Sequence, residues 1–361
     1  MTNPPDNANR LEAEPEHLLQ SGTSFVPNHY LYRVLQPGQD FLEVNGFKTY
    51  QQMVEKIRAN RKRVILSVGE SSTSGWDTSI TAVNRGRKAE GLLPISAFFR
   101  YKNFTDMVRD KVGDEFEVVN AGIPGHTALA GIRRLQMLYK QFSKDGIDIS
   151  YVLIHFGNND GLWEGNLQDK KHLCLHPNSP AVVEKFRNWR NKRAAGRMVL
   201  RSTVSDFGRY FLQMINFSGE IGAPPIIVQP EIPIYWKPGS RFADFNFEQM
   251  AAKPGAEFAL AKLAEALSLW ESVIDQPYSE QKIRVLEEAA ELDFLLPRIK
   301  RGYLQELQRV ANASKTPLIQ TPIPRDEDES KYFIDYCHPR EIINERIASM
   351  IVSHIDVFEK N

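Results

Sequence analysis

Four short stretches of this 361-residue chain hold the residue types that chemistry at a carbonyl carbon needs. The first, Gly69-Glu70-Ser71-Ser72-Thr73-Ser74-Gly75, offers a serine hydroxyl in a glycine-bounded turn. The second, Asn120-Ala121-Gly122-Ile123-Pro124-Gly125-His126-Thr127, contains Gly125, whose backbone N–H can be presented with no side chain in the way. The third, Gly157-Asn158-Asn159-Asp160, offers the side-chain N–H₂ of Asn159. The last, Asp335-Tyr336-Cys337-His338-Pro339, sets a carboxylate three residues before an imidazole. A serine hydroxyl is a poor nucleophile until a base takes its proton. His338 can be that base, with Asp335 near enough to fix the imidazole tautomer. The N–H groups of Ser71 and Gly125 and the amide of Asn159 could then hold the oxyanion of a tetrahedral intermediate. Together these are the parts for acyl transfer.

Such parts must be held by something rigid, and a regular rhythm precedes them. RVILSV (63–68), FEVV (116–119), SYVLIHF (150–156), PIIVQ (225–229) and PLIQ (317–320) read as short strands, several of them apolar on both faces. Helical stripes separate them. Tyr101, Phe104, Val108 and Val112 form one, and Leu129, Ile132, Leu135, Leu138 and Phe142 another; residues 203–217 and 303–312 also read as helices. Strands alternating with helices indicate an α/β fold with a parallel sheet. In such sheets ligands bind beyond the carboxyl ends of the strands, which is where the four stretches fall. A last amphipathic helix carries Ile343, Ile347, Met350, Ile351 and Ile355, with Pro339 expected in its first turn.

In order and spacing the four blocks resemble those of the SGNH hydrolase superfamily, the GDSL-type esterases and lipases. The pattern G-D-S-x-[ST]-x-G is matched by 69–75 with Glu70 in place of Asp. N-x-G-x-x-G-x-[ST] is matched by 120–127, G-x-N-D by 157–160 and D-x-x-H-P by 335–339. The resemblance implies Ser71 as nucleophile, His338 as base and Asp335 as its orienting acid. It implies Ser71, Gly125 and Asn159 as the oxyanion hole, and a three-layer α/β/α fold with a flavodoxin-like five-stranded parallel sheet. Pro124 and His126 stand where that family more often has Ser and Asp, which makes His126 a candidate substrate contact. The serine is not in a G-x-S-x-G elbow, because position 73 is Thr. With no G-x-G-x-x-G, Walker A or H-E-x-x-H motif, no cofactor and no metal are expected.

Composition narrows the rest. Lys plus Arg and Asp plus Glu each number 45, so a nucleic-acid partner has no support from net charge. Two cysteines, Cys174 and Cys337, 163 positions apart, suit a reducing compartment. No run approaches the ~18 apolar residues of a membrane span, and the polar start does not read as a signal peptide. A cytoplasmic protein acting on a small-molecule acyl ester is therefore expected; nothing here fixes its oligomeric state. Residues 1–62 read as an N-terminal extension. Residues 63–361 read as one catalytic domain with insertions at about 161–198 and 240–302, which lack strand patterns and form a helical cap. Trp163 and Trp236 are candidate pocket residues, each as readily packing residues. The basic run 185–201 reads first as a solvated face and otherwise as a site for an anionic substrate group, and His172-x-Cys174-x-His176 as a loop before a metal site. The leading expectation is an ester hydrolase acting through an acyl-enzyme on Ser71. A biosynthetic acyltransferase is the alternative, and an inactive binding protein the third reading.

Overall fold

A computed structural model describes residues 45–60, 62–75, 102–164, 199–240, 252–326 and 328–360. Residues 1–44, 61 and 165–198, and with them the His172-x-Cys174-x-His176 loop and nearly all of the basic run, lie outside the described residues. Helix α1 (Tyr50–Ala59) leads into β1 (Arg63–Gly69) and the single turn α2 (Ser71–Ser74). Then follow α3 (Phe104–Val112), β2 (Phe116–Asn120), α4 (Ala128–Lys144) and β3 (Ile149–His155). Two-residue strands β4 (Trp163–Glu164) and β5 (Val199–Leu200) precede α5 (Val204–Glu220) and β6 (Pro225–Val228). The chain ends with α6 (Ala256–Val273), α7 (Glu280–Leu292), α8 (Arg301–Ser314), β7 (Leu318–Ile319) and α9 (Glu341–Lys360).

The main sheet has the order β2-β1-β3-β6-β7 with every pair parallel. Chain order 2-1-3-4-5 is the flavodoxin-like arrangement, as the resemblance implied. Alternation along the strands divides the core in two. Val64, Leu66, Val68, Val152, Ile154 and Ile227 face α1, α4, α5 and α8. Ile65, Val118, Leu153, Ile226, Val228 and Ile319 face α3 and α9. Both faces are buried, which is why the strands read as continuous apolar runs. Each fully buried Leu, Ile or Phe contributes about 1.5–3 kcal/mol of transfer free energy, so these two layers fix the sheet.

The described part of the 240–302 segment forms a helical hairpin, α6 and α7, interrupted near Pro277 and ending before Pro297. It buries two small clusters of its own. Ala256, Ala259, Leu263 and Leu295 pack on Trp163. Val273, Leu286 and Ala290 pack on Ile234. The hairpin thus rests on segments that follow β3 and β6. The linker behind it is pinned by the fully buried Asp293, whose carboxylate accepts N–H groups of Arg298 (2.9 Å), Gly239 (2.9 Å), Leu295 (3.1 Å) and Leu296 (3.3 Å). Arg298, equally buried, also donates to the Pro233 carbonyl.

Two sequence expectations need correction. Residues 163–164 do form strand, pairing antiparallel with 199–200 across the base of the first insertion. A two-residue strand is too short for alternation to register. Pro339 does not lie in the first turn of the last helix, which begins at Glu341. It makes an antiparallel bridge with Phe333, because Tyr332–Arg340 folds back as a small hairpin with bonds Ile334 N–H to His338 C=O (2.8 Å) and Arg340 N–H to Tyr332 C=O (2.7 Å).

Replacing Asp293 with Ala leaves Arg298 as a buried cation without its counter-charge. Denaturant titration should show a loss of about 3–5 kcal/mol; a change below about 1 kcal/mol would contradict this account of the linker.

Candidate active site

All four blocks emerge at the carboxyl edge of the sheet. Ser71 opens the single turn after β1, so its N–H is among the groups a helical turn leaves without an internal partner. Two amides hold this turn directly. The Thr73 carbonyl accepts from Asn120 Nδ2 (2.7 Å) and from Asn103 Nδ2, which also reaches the Ser72 carbonyl at 3.3 Å. Asn103 does double work: its Oδ1 caps α3 by accepting the Asp106 N–H. Asn120 is held in turn by Asn45, whose amide spans its backbone N–H (2.7 Å) and carbonyl (2.8 Å). The loop after β2 lies directly on the turn. A Cβ on Gly122 would sit 2.5 Å from the Ser74 nitrogen, so only glycine allows this approach. Gly125 has φ +76°, a left-handed conformation that glycine adopts at little cost.

The carboxylate–imidazole pair, Asp335 and His338, occupies the tip of the 332–340 hairpin. Asp335 Oδ1 accepts the N–H groups of Cys337 and His338, both at 2.9 Å, an Asx turn that shapes the tip. His338 Nδ1 lies 2.8 Å from each carboxylate oxygen. A carboxylate only accepts, so Nδ1 carries the proton and Nε2 is left as the basic nitrogen. Both residues are buried. The Ser72 hydroxyl donates to the Cys337 carbonyl at 3.4 Å, tying the neighbour of the serine to the neighbour of the histidine. Asp335, Cys337 and His338 place ligand-type atoms within 4.8 Å of one another. The geometry is nonetheless that of an acid–imidazole pair, since the nitrogen a metal would need there already faces the carboxylate.

The loop after β3 meets the serine turn through Glu70, which is fully buried. Its Oε2 accepts the side-chain Nδ2 of Asn159 at 2.7 Å and the Asn159 backbone N–H at 3.3 Å. Its Oε1 accepts the Asn158 N–H at 3.2 Å. Burial pushes the Glu70 carboxyl up to about 7, against the pull of these donors and of His338 nearby. Asn158 reaches the other way and accepts the Ile299 N–H at 3.1 Å, which joins this loop to the linker behind the hairpin. Asp160 accepts the Ala128 N–H at 3.2 and 3.1 Å and so caps α4, a structural task.

The remaining sequence candidates fall in different places. His126, beside Gly125, is buried, and neither ring nitrogen has a hydrogen-bond partner among the described residues. Burial, then Arg134 and Arg201, hold its pKa well below the ordinary histidine value. Trp236 packs its ring on Tyr336, 6.3 Å between centroids, alongside the base hairpin. Trp163 is not brought to the serine turn; it packs on Phe258 (4.7 Å) and donates to the Gly255 carbonyl (2.9 Å). Sequence reading missed His155 at the end of β3, whose Nδ1 lies 3.0 Å from Thr73 Oγ1. Burial, then His338, lowers its pKa to about 3. It also missed Asn45 and Asn103, for which no spacing signal exists. The hydrogen bonds of Glu70 followed from no motif either, although its departure from the family pattern marked the position.

No family model and no curated relative matches the chain. Among solved structures, the psychrotrophic esterase EstA from Pseudoalteromonas sp. shares 13% identity over 83% of this chain and 100% of its own, with a TM-score of 0.40. TesA shares 14% over 81% and 97%, at 0.35. The acetylxylan esterase Axe2 from Geobacillus stearothermophilus shares 11% over 81% and 94%, at 0.36. At such identities and scores these likenesses carry no argument about chemistry, which rests on the residues described above.

Gly122→Ala should force the serine turn away from the β2 loop and cost about 1–3 kcal/mol in denaturant titration; a fully stable variant would contradict the close packing. A second expectation concerns acid. His155 stays neutral when folded down to about 3, whereas the unfolded chain takes up a proton near ~6.5. Stability therefore falls as pH drops below ~6.5, by up to about 1.4 kcal/mol per pH unit from this group. Thermal melts of wild type and His155→Asn should diverge from pH ~7 to pH ~4, the wild type falling more steeply; parallel curves would refute it.

Proposed function

We propose that the chain is a serine-dependent ester hydrolase acting through an acyl-enzyme on Ser71. The observation that carries this reading is the His338–Asp335 pair, with Nδ1 at 2.8 Å from both carboxylate oxygens and its hairpin tied to the serine turn. Ser71 Oγ attacks the ester carbonyl carbon while Nε2 of His338 takes its proton. Asp335 holds the imidazole in that tautomer and stabilises the imidazolium that forms. The carbonyl oxygen, now an anion, is received by the N–H groups of Ser71 and Gly125 and the Nδ2–H of Asn159. Collapse expels the alcohol, which takes its proton from His338. Water then attacks the acyl-enzyme with His338 again as base, releasing the carboxylic acid and restoring Ser71.

No cofactor enters any step. The α6–α7 hairpin and Trp236 flank the carboxyl edge and shape what the serine can reach. His126, next to the oxyanion glycine, is a substrate contact in this reading, and the substrate is a small-molecule acyl ester. Among the described residues no helix is long and apolar enough to cross a membrane.

Ser71→Ala should lower kcat on short-chain nitrophenyl esters by roughly 10⁴-fold or more and abolish labelling by a fluorophosphonate, while the fold is kept. The wild-type kcat/KM should fall as pH drops from ~8 to ~5, because a protonated His338 cannot take the serine proton. Full activity in Ser71→Ala defeats the nucleophile, and a pH-independent rate defeats the base. Acylated product formed from an added alcohol or amine in place of free acid would make the chain an acyltransferase.

A further inference from the structure

Glu70 is buried, ionisable and unused by the steps above, and it departs from the acid of the resembled family by one methylene. What it does follows from the chemistry of the group it touches. An asparagine amide has an oxygen end that accepts and a nitrogen end that donates, and the two differ little in shape. An oxyanion donor is useful only if the nitrogen end faces the reacting carbonyl. With the amide turned over, a carbonyl oxygen would meet the developing negative charge and repel it.

The structure removes that freedom. Glu70 Oε2 lies 2.7 Å from Asn159 Nδ2, and in its ionised form the carboxylate can only accept, so it holds the nitrogen end of the amide toward itself. One amide N–H is committed to Glu70 and the second lies in the same plane, turned away from it. The same carboxylate also collects the backbone N–H groups of Asn159 and Asn158, at 3.3 and 3.2 Å. Side chain and backbone of the donor loop are thus fixed by one acceptor. That acceptor precedes Ser71 directly, so donor loop and nucleophile share one reference point.

Resting on the reading of Ser71 as nucleophile, we propose that Glu70 is a positioning residue that sets the orientation of the Asn159 amide as an oxyanion donor. It touches neither the ester nor the reacting atoms. Its elevated proton affinity, a consequence of burial, is in keeping with a group retained for placement despite the cost of burying it.

The test is a double-mutant cycle on the full chain with nitrophenyl acetate. Glu70→Gln keeps the shape but brings an NH₂ group against the N–H donors. It should lower kcat roughly 10- to 100-fold and change KM less than about threefold. In an Asn159→Ala background the same substitution should change kcat less than about twofold, because the amide it orients is gone. Effects that multiply across the two sites would overturn the proposal. A second measurement needs no turnover. In chain labelled with ¹⁵N-asparagine, the Asn159 amide pair, assigned by its loss in Asn159→Ser, should be split more widely than a free asparagine amide in wild type, and the splitting should return toward the free value in Glu70→Gln. A wild-type splitting no wider than that of free asparagine overturns the proposal even if the esterase is active. A widened pair in a chain that neither turns over ester nor takes a fluorophosphonate supports Glu70 as the residue holding Asn159 and defeats the Ser71 reading instead.

Discussion

A carboxylate placed at the end of a strand with no access to water must be met by donors or it will not ionise there. Glu70 is that group, and the packing of this edge of the sheet follows from it. Among the described residues its donors are backbone and amide N–H groups, and they come from Asn158 and Asn159. The loop after β3 is therefore drawn against the turn after β1, which is the contact an oxyanion site between them needs. The same requirement extends outward: Asn158, having given its N–H to Glu70, takes the Ile299 N–H with its side chain, and Ile299 follows the buried Arg298 of the linker.

A chain of such contacts links the hairpin to the chemistry without any side chain of the hairpin entering it. Asp293 holds Arg298 and the 233–239 segment, that segment carries Trp236, and Trp236 lies on Tyr336 beside His338. On the other side Ile299 steadies the Asn158–Asn159 loop. The His338 hairpin and the Asn158–Asn159 loop are thus braced from one segment. A minimal sheet with short β6 and β7 gains from this, since two residues of β7 offer little on which to mount the histidine hairpin.

The frame was open to sequence reading because burial on both faces writes itself as unbroken apolar runs, as in Val64–Val68 and Tyr151–Ile154, and because helix stripes such as Leu129 to Phe142 keep a 3.6-residue period. The acid–imidazole pair was open because its three-residue spacing is local. The rest depends on contacts between residues far apart in the chain. Asn45 meets Asn120 across 75 positions and Glu70 meets Asn159 across 89. Nothing in the composition around either asparagine marks it as a partner. Pro339 misled because proline suits a helix start equally well as a bridged position beside a hairpin tip. The β4–β5 ladder escaped because two residues show no period.

Trp163 illustrates why residue type alone cannot assign a pocket. An aromatic ring just past the oxyanion loop is placed well for substrate, yet its ring is taken by Phe258 and Phe294 and its N–H by the Gly255 carbonyl. His126 is the reverse case. Its ring is covered, its nitrogens have no hydrogen-bond partner among the described residues, and burial, then two arginines, lowers its proton affinity. A neutral imidazole offers one donor and one acceptor, so His126 keeps the polar capacity its residue type implies, whereas that of Trp163 is filled by packing and a carbonyl.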